Sequence, residues 1–426
     1  MDTLHIGSET GTQAAPPLPS RSADARLPNL RHLRALLHVG RLKSVNQAGQ
    51  FMNLSQPAVT QAIARLERGL GVELFQRHPT GMYASRAGEL LLRHVEEMFA
   101  VLEIGLAAIS RPGREPLPAD ILLKATQLDA LVALTRASTP EGASETLGIT
   151  PVALNRNLHR LEERLHVTLV LRDGRQLRLS QAGLTLARAA KLAQRELEMA
   201  MEEIDEAAGH MRGRLAVGAL PLARTYVVPR ALITLGQRHA SARMQLVEGS
   251  YETLLAALRD GDIDILVGTL RQPAPTPDVT EVPLFQDRLC VVGRAGHPLA
   301  GKKDLKLLDL LRFPWIAPRM GSPARREFDQ IFSEPGHQPP QLFEVASHIA
   351  VRAILRESDT LALISRRQIR YEEGDGQLVV LSETLARKDR TIGYTVRSRW
   401  SPTRLQQSFL DALDAAQKEG PASVGP

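Results

Sequence analysis

The sequence predicts a multidomain chain. Two copies of a small, mostly helical module come first, each closed by a long helix, and an α/β domain of two lobes follows. Three observations predict this. Residues 33–88 and 128–183 align without a gap at an offset of 95. Each copy runs on into a long amphipathic stretch, the kind that pairs with another helix. From Arg214 onward, short β-like runs alternate with helical ones, as in a parallel or mixed sheet.

Composition narrows the class. A length of 426 residues suits two to four domains at roughly 150 residues each, and hydrophobic content of 43% supports a core without covalent staples. The single cysteine, Cys290, excludes a disulfide framework and a multi-cysteine metal site. Aromatic residues make up 4%, too few for a carbohydrate platform or a base-stacking surface. No stretch reaches the roughly 18 apolar residues of a membrane span. The net charge of +6 permits nucleic-acid binding without establishing it. Residues 1–27 lack a cationic start and an apolar core, so they read as a disordered leader and not a secretory signal, and a cytoplasmic protein is expected.

The repeat is dense. Arg65-Leu66-Glu67 returns as Arg160-Leu161-Glu162, and Ser85, Ala87 and Gly88 return as Ser180, Ala182 and Gly183. In the first module (28–110), Ala48, Phe51 and Leu54 give a short helix an apolar face. Ser55 is a good N-cap, and Pro57 suits the first turn of the next helix, where a missing N–H costs nothing. Val59, Ile63, Leu66 and Leu70 form its core stripe, so Gln56, Thr60, Gln61 and Arg68 face outward. Two short helices with exposed amides and hydroxyls opening the second form a helix-turn-helix. Gln reads adenine edges, Thr donates, and a Pro ring touches a thymine methyl. His78–Ser85 has the turn chemistry of a β-wing, flanked by Arg77 and Arg86.

A Pro-rich linker (111–120) precedes the second module (121–183). There Thr150 caps, and Leu154, Leu158, Leu161 and Leu165 keep the stripe. Asn155, Arg156 and His159 are expected to be exposed. Residues 28–88 carry 8 Lys/Arg against 2 Asp/Glu, whereas 123–183 carry 8 against 6, so the first copy is the better match to phosphate. Two readings of the second copy stay open. One is a module degenerated to pairing or packing; the other is a second DNA reader, which makes the chain a pseudo-dimer. The helix at 184–210, with Leu184, Ala187, Leu197 and Ile204 on one stripe, is expected to pair subunits, with help from 89–110.

The string SQPAVTQAIARLERGLGVELFQR resembles the N-terminal reader of the LysR-type transcriptional regulators. The resemblance implies a winged helix-turn-helix that reads double-stranded DNA, with recognition-helix residues at Gln56, Pro57, Thr60 and Gln61; Ser55, Arg65 and Arg68 are further candidate DNA contacts. Residues 211–426 resemble the same family's effector-binding domain in Arg212–Gly218, Leu258–Ile265, His297–Ala300 and Phe313–Ile316. This implies a two-lobed, periplasmic-binding-protein-like α/β domain with a small-molecule effector in its cleft. It also implies a homo-oligomer, dimer or tetramer, with RNA polymerase as a further partner. The tandem reader is similar to that of the galactose-binding-protein regulator subgroup.

Ligands of open α/β sheets sit beyond the strand C-termini. That selects Leu220, Pro221, Thr225, Thr269, Arg319, Gly321, Ser322, Ser347 and His348 as effector-binding candidates. Ser322 before Pro323 reads as an N-cap whose free N–H groups favour an anionic or polar oxygen, and Arg319 and Arg325 add charge. Asp262 and Asp264 read as solvent and turn residues. Twelve histidines show no zinc spacing, and no nucleophile motif is present, so neither a cofactor nor catalysis is expected. The rival readings are a cytoplasmic solute-binding protein and a metabolite-processing enzyme.

Overall fold

A computed structural model of the chain describes residues 27–110, 117–137, 139–173, 176–210, 213–271, 273–334, 337–386 and 388–418. Leader residues 1–26 and linker residues 111–116 lie outside them. No described helix is long and apolar enough to cross a membrane.

The first module comprises α1 (Leu30–Leu42), α2 (Val45–Met52), α3 (Gln56–Leu70), a hairpin of β1 (Phe75–His78) and β2 (Gly81–Ala84), and α4 (Arg86–Ile109). A helical turn, α5 (Ala119–Leu122), leads into the second. That module comprises α6 (Ala125–Arg136), α7 (Pro140–Leu147), α8 (Pro151–Leu165), a hairpin of β3 (Val170–Asp173) and β4 (Gln176–Leu179), and α9 (Gln181–Ala207). Every element of the first module from α1 to α4 begins 95 residues before its counterpart.

The residues that recur are the ones that hold this framework. Ser55 Oγ accepts the Ala58 N–H, and Thr150 Oγ1 accepts that of Ala153, capping α3 and α8 alike. Glu67 Oε1 accepts the N–H groups of Leu74 (2.8 Å) and Phe75 (3.3 Å); Glu162 Oε1 does the same for Leu169 (2.8 Å) and Val170 (2.9 Å). Each glutamate thus ties the second helix of its module to the start of its wing. A Cβ on Gly88 would stand 2.0 Å from the Leu74 carbonyl oxygen, and one on Gly183 would stand 2.1 Å from that of Leu169. Only glycine fits either position.

One expected core residue is outside. Phe51 is 69% exposed and stacks on His38, with ring centroids 4.5 Å apart. The helix α2 ends at Met52 and Asn53 turns left-handed; α2 buries Ala48 and Gly49 and sets Val45 and Met52 partly against the core.

The two long helices, expected from the sequence to pair subunits, pack against each other within the chain. Gly105 of α4 lies on Ala189 of α9, while His94 of α4 meets Glu196 and Glu203 of α9. Rising along one helix means descending the other, so the pair is antiparallel. Two small side chains let the backbones approach closely there. Leu184, expected on the buried stripe, lies at the exposed end of the pair.

The C-terminal domain has two five-stranded sheets. Its strands are β5 (Arg214–Ala219), β6 (Arg243–Val247), β7 (Ile265–Thr269), β8 (Val279–Asp287), β9 (Leu289–Arg294), β10 (Trp315–Ala317), β11 (Leu342–Glu344), β12 (Leu361–Ser365), β13 (Leu378–Ser382) and β14 (Arg390–Arg397). Lobe I has the order β6-β5-β7-β14-β8 and lobe II the order β11-β10-β12-β9-β13. Each lobe is parallel at its centre with antiparallel strands added on one side. The chain crosses between lobes at Arg288 and returns between β13 and β14. Asp287 pins the crossing: it accepts from Ser365 Oγ at 2.5 Å and is paired with Arg390.

Candidate nucleic-acid interface and effector cleft

The core stripe of α3 buries Val59, Ala62, Ile63 and Leu66, which turns its other face outward. Ser55, Gln56, Pro57, Gln61, Arg65 and Arg68 are exposed. Thr60 is a correction: it is half-buried, and its hydroxyl donates to the Gln56 carbonyl at 3.0 Å. It sits one helical turn from its acceptor, close enough to the core stripe for the backbone to claim its proton. Arg77 on the wing and Arg86 at the start of α4 are exposed, so cations flank the hairpin. Sequence reasoning missed Lys43, whose ammonium lies 5.1 Å from the centre of the Tyr83 ring on that wing. No periodic signal marks it, because it is positioned by the long-range hydrogen bond from the Met82 N–H to its carbonyl.

The corresponding face of α8 presents Pro151, Val152, Arg156, His159 and Arg160. Asn155, expected outside, is half-buried, and its Nδ2 donates to the Pro151 carbonyl at 3.1 Å. This repeats the back-bond of Thr60 at the equivalent position. His159 Nε2 lies 3.3 Å from Glu163 one turn on.

In the C-terminal domain the effector candidates fall at element ends or, for Arg319 and Gly321, in the loop before a helix. Leu220 and Pro221 open the short helix Pro221–Thr225 after β5, and Thr269 ends β7. The Leu220 N–H is spent on the Val267 carbonyl (2.9 Å) and the Thr225 hydroxyl on the Pro221 carbonyl (2.8 Å). Gly321 takes a φ of +77° just before Ser322, which caps the helix Pro323–Ile331. Ser347 caps the helix His348–Glu357. Arg325 is already engaged, by Asp329 at 2.7 Å and Glu344 at 3.1 Å. Arg319 is exposed.

Electrostatics link the two lobes across this region. His348 of lobe II is pushed down to about 4, by burial first and then by the charges of Arg224 in lobe I and Arg352. It is therefore neutral at neutral pH, with Nδ1 3.2 Å from Gln368 Nε2. The Glu252 carboxyl of lobe I is held below its usual range by its own backbone N–H, with help from Ser250 and the charges of Arg271 and of Arg319 in lobe II. The charge of Arg224 is thus felt at His348 and that of Arg319 at Glu252, each from the opposite lobe. Sequence reasoning missed a cavity of about 270 Å³ at the lobe crossing, lined by Tyr226, Asp287, Cys290, Arg366, Arg367 and Arg370 among others. None of the candidate residues lines it.

The other missed feature joins the domains. Asp264 is fully buried, not a solvent residue as expected, and accepts from Arg195 Nε of α9 at 3.1 Å. Its other oxygen accepts the Ala216 N–H at 2.9 Å. Arg195 is 2% exposed and also donates to Glu202 (2.8 Å), Glu198 (3.3 Å) and the Arg214 carbonyl (3.2 Å). Burial pushes the Glu202 carboxyl above its usual range even against the pull of Arg195. Arg188 pairs with Asp260 and Lys191 with Asp262 alongside. The run Arg259-Asp-Gly-Asp-Ile-Asp264 is therefore the socket in which α9 sits, and the spacing of its acids alone does not reveal it.

Comparison with known proteins follows this division. A family model described as "Bacterial regulatory helix-turn-helix protein, lysR family" matches residues 30–89 and again 125–184. One described as "LysR substrate binding domain" matches residues 208–418. The HTH-type transcriptional regulator GalR of Pseudomonas putida is 32% identical over 376 residues, covering 88% of this chain and 94% of GalR. That span exceeds what residues 125–418 can supply, so it runs through both modules. Among solved structures, ArgP of Mycobacterium tuberculosis (TM-score 0.55, 18% identity, 70% of this chain and 98% of that one) shares the fold. So does full-length LysG of Corynebacterium glutamicum with bound effector Arg (0.52, 22%, 69% and 98%).

Proposed function

The chain belongs to the LysR family of bacterial transcriptional regulators, with a C-terminal effector-binding domain, and from that premise we propose how its parts divide the work. The exposed face of α3, with Gln56, Pro57, Gln61 and Arg65, enters the major groove of an operator, and Arg77 and Arg86 hold the wing on the flanking phosphates. A small polar or anionic metabolite enters the cleft between the lobes and meets Arg319, Ser322, Ser347 and His348 of lobe II and the helix Pro221–Thr225 of lobe I. The protein works in the cytoplasm without a catalytic step and meets RNA polymerase at the promoter.

One observation carries the coupling. Helix α9 belongs to the pair that holds the readers, and it is clamped to lobe I through the buried Arg195–Asp264 contact. Lobe I therefore moves with the readers, and lobe II is the part left to swing about the Asp287 crossing. A ligand that bridges the lobes favours one placement of lobe II, and that difference in affinity is what shifts the equilibrium.

The test is footprinting of the full chain on genomic DNA, with and without a metabolite panel. We expect discrete protected sites in wild type, lost in Gln56→Ala/Gln61→Ala, and altered by at least one panel member. Absence of protected sites, or an unchanged footprint in that variant, refutes the assignment of α3.

A further inference from the structure

The paired helices raise the question of what the second module does once pairing is accomplished within the chain. We propose that α8 is a second reader, and that one chain grips two different DNA half-sites with no second subunit at the helix pair. This rests on the α3 reading above and extends it.

The first ground is geometry. Two readers must be held at fixed separation, related by a dyad, to meet successive grooves on one face of a duplex. Here α4 and α9 supply that pairing internally. Their antiparallel contact equates Gly105 of α4 with Ala189 of α9 at one end, and His94 of α4 with Glu196 and Glu203 of α9 toward the other. Because every element from α1 to α4 recurs at the same offset, an antiparallel pairing of the last helices relates the whole modules by an approximate two-fold axis. The helices α3 and α8 are then the two equivalent readers.

The second ground is the surface of α8. Pairing is carried by α9, so α8 is not consumed by it. Pro151, Val152, Arg156, His159 and Arg160 stay in solvent. Val152 is 77% exposed in the first turn, at the position of Pro57 in α3. An aliphatic side chain held out of an otherwise polar helix face suits a thymine methyl. Arg156 and Arg160 on α8 are exposed, as are Arg172 and Arg178 on the second wing, and cations of this kind match a phosphate backbone. His159, paired with Glu163, is a member of the same face.

The third ground is where the copies differ. Buried positions keep their character: Val59, Ile63 and Leu66 answer to Leu154, Leu158 and Leu161. Outward positions change: Gln56, Pro57 and Gln61 become Pro151, Val152 and Arg156. A module kept only for packing needs the first set. A module that reads different bases needs both the retained core and the altered face. Arg156 at the place of Gln61 shifts preference toward guanine.

The experiment uses the full chain. DNA selected from a random library is footprinted, and the mass of the complex gives chains per DNA. We expect two adjacent protected stretches of unlike sequence from one chain. Gln56→Ala/Gln61→Ala should release the first stretch. Arg156→Ala/Arg160→Ala, both exposed and remote from the core, should release the second, lower affinity about tenfold or more, and flatten the salt dependence by roughly one phosphate, that met by Arg160. If the Arg156/Arg160 variant keeps the wild-type footprint, affinity and salt slope while the Gln56/Gln61 variant loses its stretch, α8 does not read DNA and the proposal falls while the α3 reading stands. Selection of a palindrome bound by two chains through α3 overturns it as well. If neither variant changes binding, the α3 reading itself has failed.

Discussion

Replacing Arg195 with methionine removes the charge at the joint between reader and effector domain while keeping much of the side-chain volume. Asp264 would then be a fully buried carboxylate that keeps one hydrogen bond, from the Ala216 N–H, and the nearby charge of buried Arg397. Glu202 would lose its 2.8 Å donor while already sitting above its usual range. Stranding one partner of a buried ion pair costs about 3–5 kcal/mol. The lost bond to the Arg214 carbonyl adds about 1 kcal/mol. Set against a typical domain stability of roughly 5–15 kcal/mol, this loosens α9 from lobe I or unfolds it. The penalty should depend on pH with a definite sign. Burial already raises the Glu202 carboxyl and the variant removes the opposing pull of Arg195, so the deficit is smallest at low pH, where Glu202 is protonated, and full above its folded pKa. Urea unfolding at several pH values, with hydrogen exchange resolved on α9, measures both. The double variant Arg195→Met/Asp264→Asn should recover much of the loss, because the stranded charge is gone. A cost below about 1 kcal/mol, or one independent of pH, refutes the claim that this cluster is the joint.

Further outcomes follow from the same geometry. Gly88→Ala and Gly183→Ala each drive a Cβ into a carbonyl oxygen, at 2.0 Å and 2.1 Å, so each should cost about 1–3 kcal/mol in its own module, read by exchange of that module's amides. His94 is buried, which disfavours its charge, yet hydrogen bonds and charges from Glu196 and Glu203 outweigh burial and hold it above its ordinary value of 6.5. Protection of the α4/α9 amides should therefore be full below about pH 6.5 and fall as pH rises through the folded value; His94→Gln should flatten that profile, and an unchanged profile contradicts the assignment. His348 shifts the other way, to about 4 from 6.5, so thermal stability of the effector domain is retained above about pH 6.5 and lost as pH falls toward 4. His348→Gln should remove that component, as calorimetry would record.

What the sequence revealed and what it hid divide along a physical line. Local determinants were legible: caps at Ser55, Thr150 and Ser322 and stripes in α3 and α8 all act within a few residues of themselves. The duplication was legible because those determinants repeat. Thr60 and Asn155 were placed outside by counting turns, but a half-buried hydroxyl or amide can satisfy itself on the preceding turn, and periodicity does not report that choice. Phe51 misled because an apolar residue beside two others suggests a core, while here it finds cover on the ring of His38. Asp264 misled most. In sequence it is one acid of three in a turn-like run, and only the arrival of Arg195 from 69 residues away turns it into a buried anchor.

The placement of that anchor bears on how a signal reaches the DNA. The position in α4 equivalent to Arg195 is Ala100, and the one equivalent to Lys191 is Glu96, so the clamp belongs to the second copy alone. The first copy meets the effector domain through the pair between Glu97 and Arg399, at 2.9 Å and about half exposed on the arginine side. An exposed pair of that kind is worth about 0–1 kcal/mol, far less than the buried cluster on α9. Arg399→Ala should accordingly leave effector-induced changes in the footprint nearly intact, whereas Arg195→Met should uncouple them even where DNA is still bound. Duplication has thereby separated two demands that a single module must meet at once. Module two carries the mechanical load of lobe I, which explains why its helix spends Arg188, Lys191 and Arg195 on acids of the effector domain. Module one has no such attachment and is joined to that copy through the contact of α4 with α9 at Gly105 and Ala189.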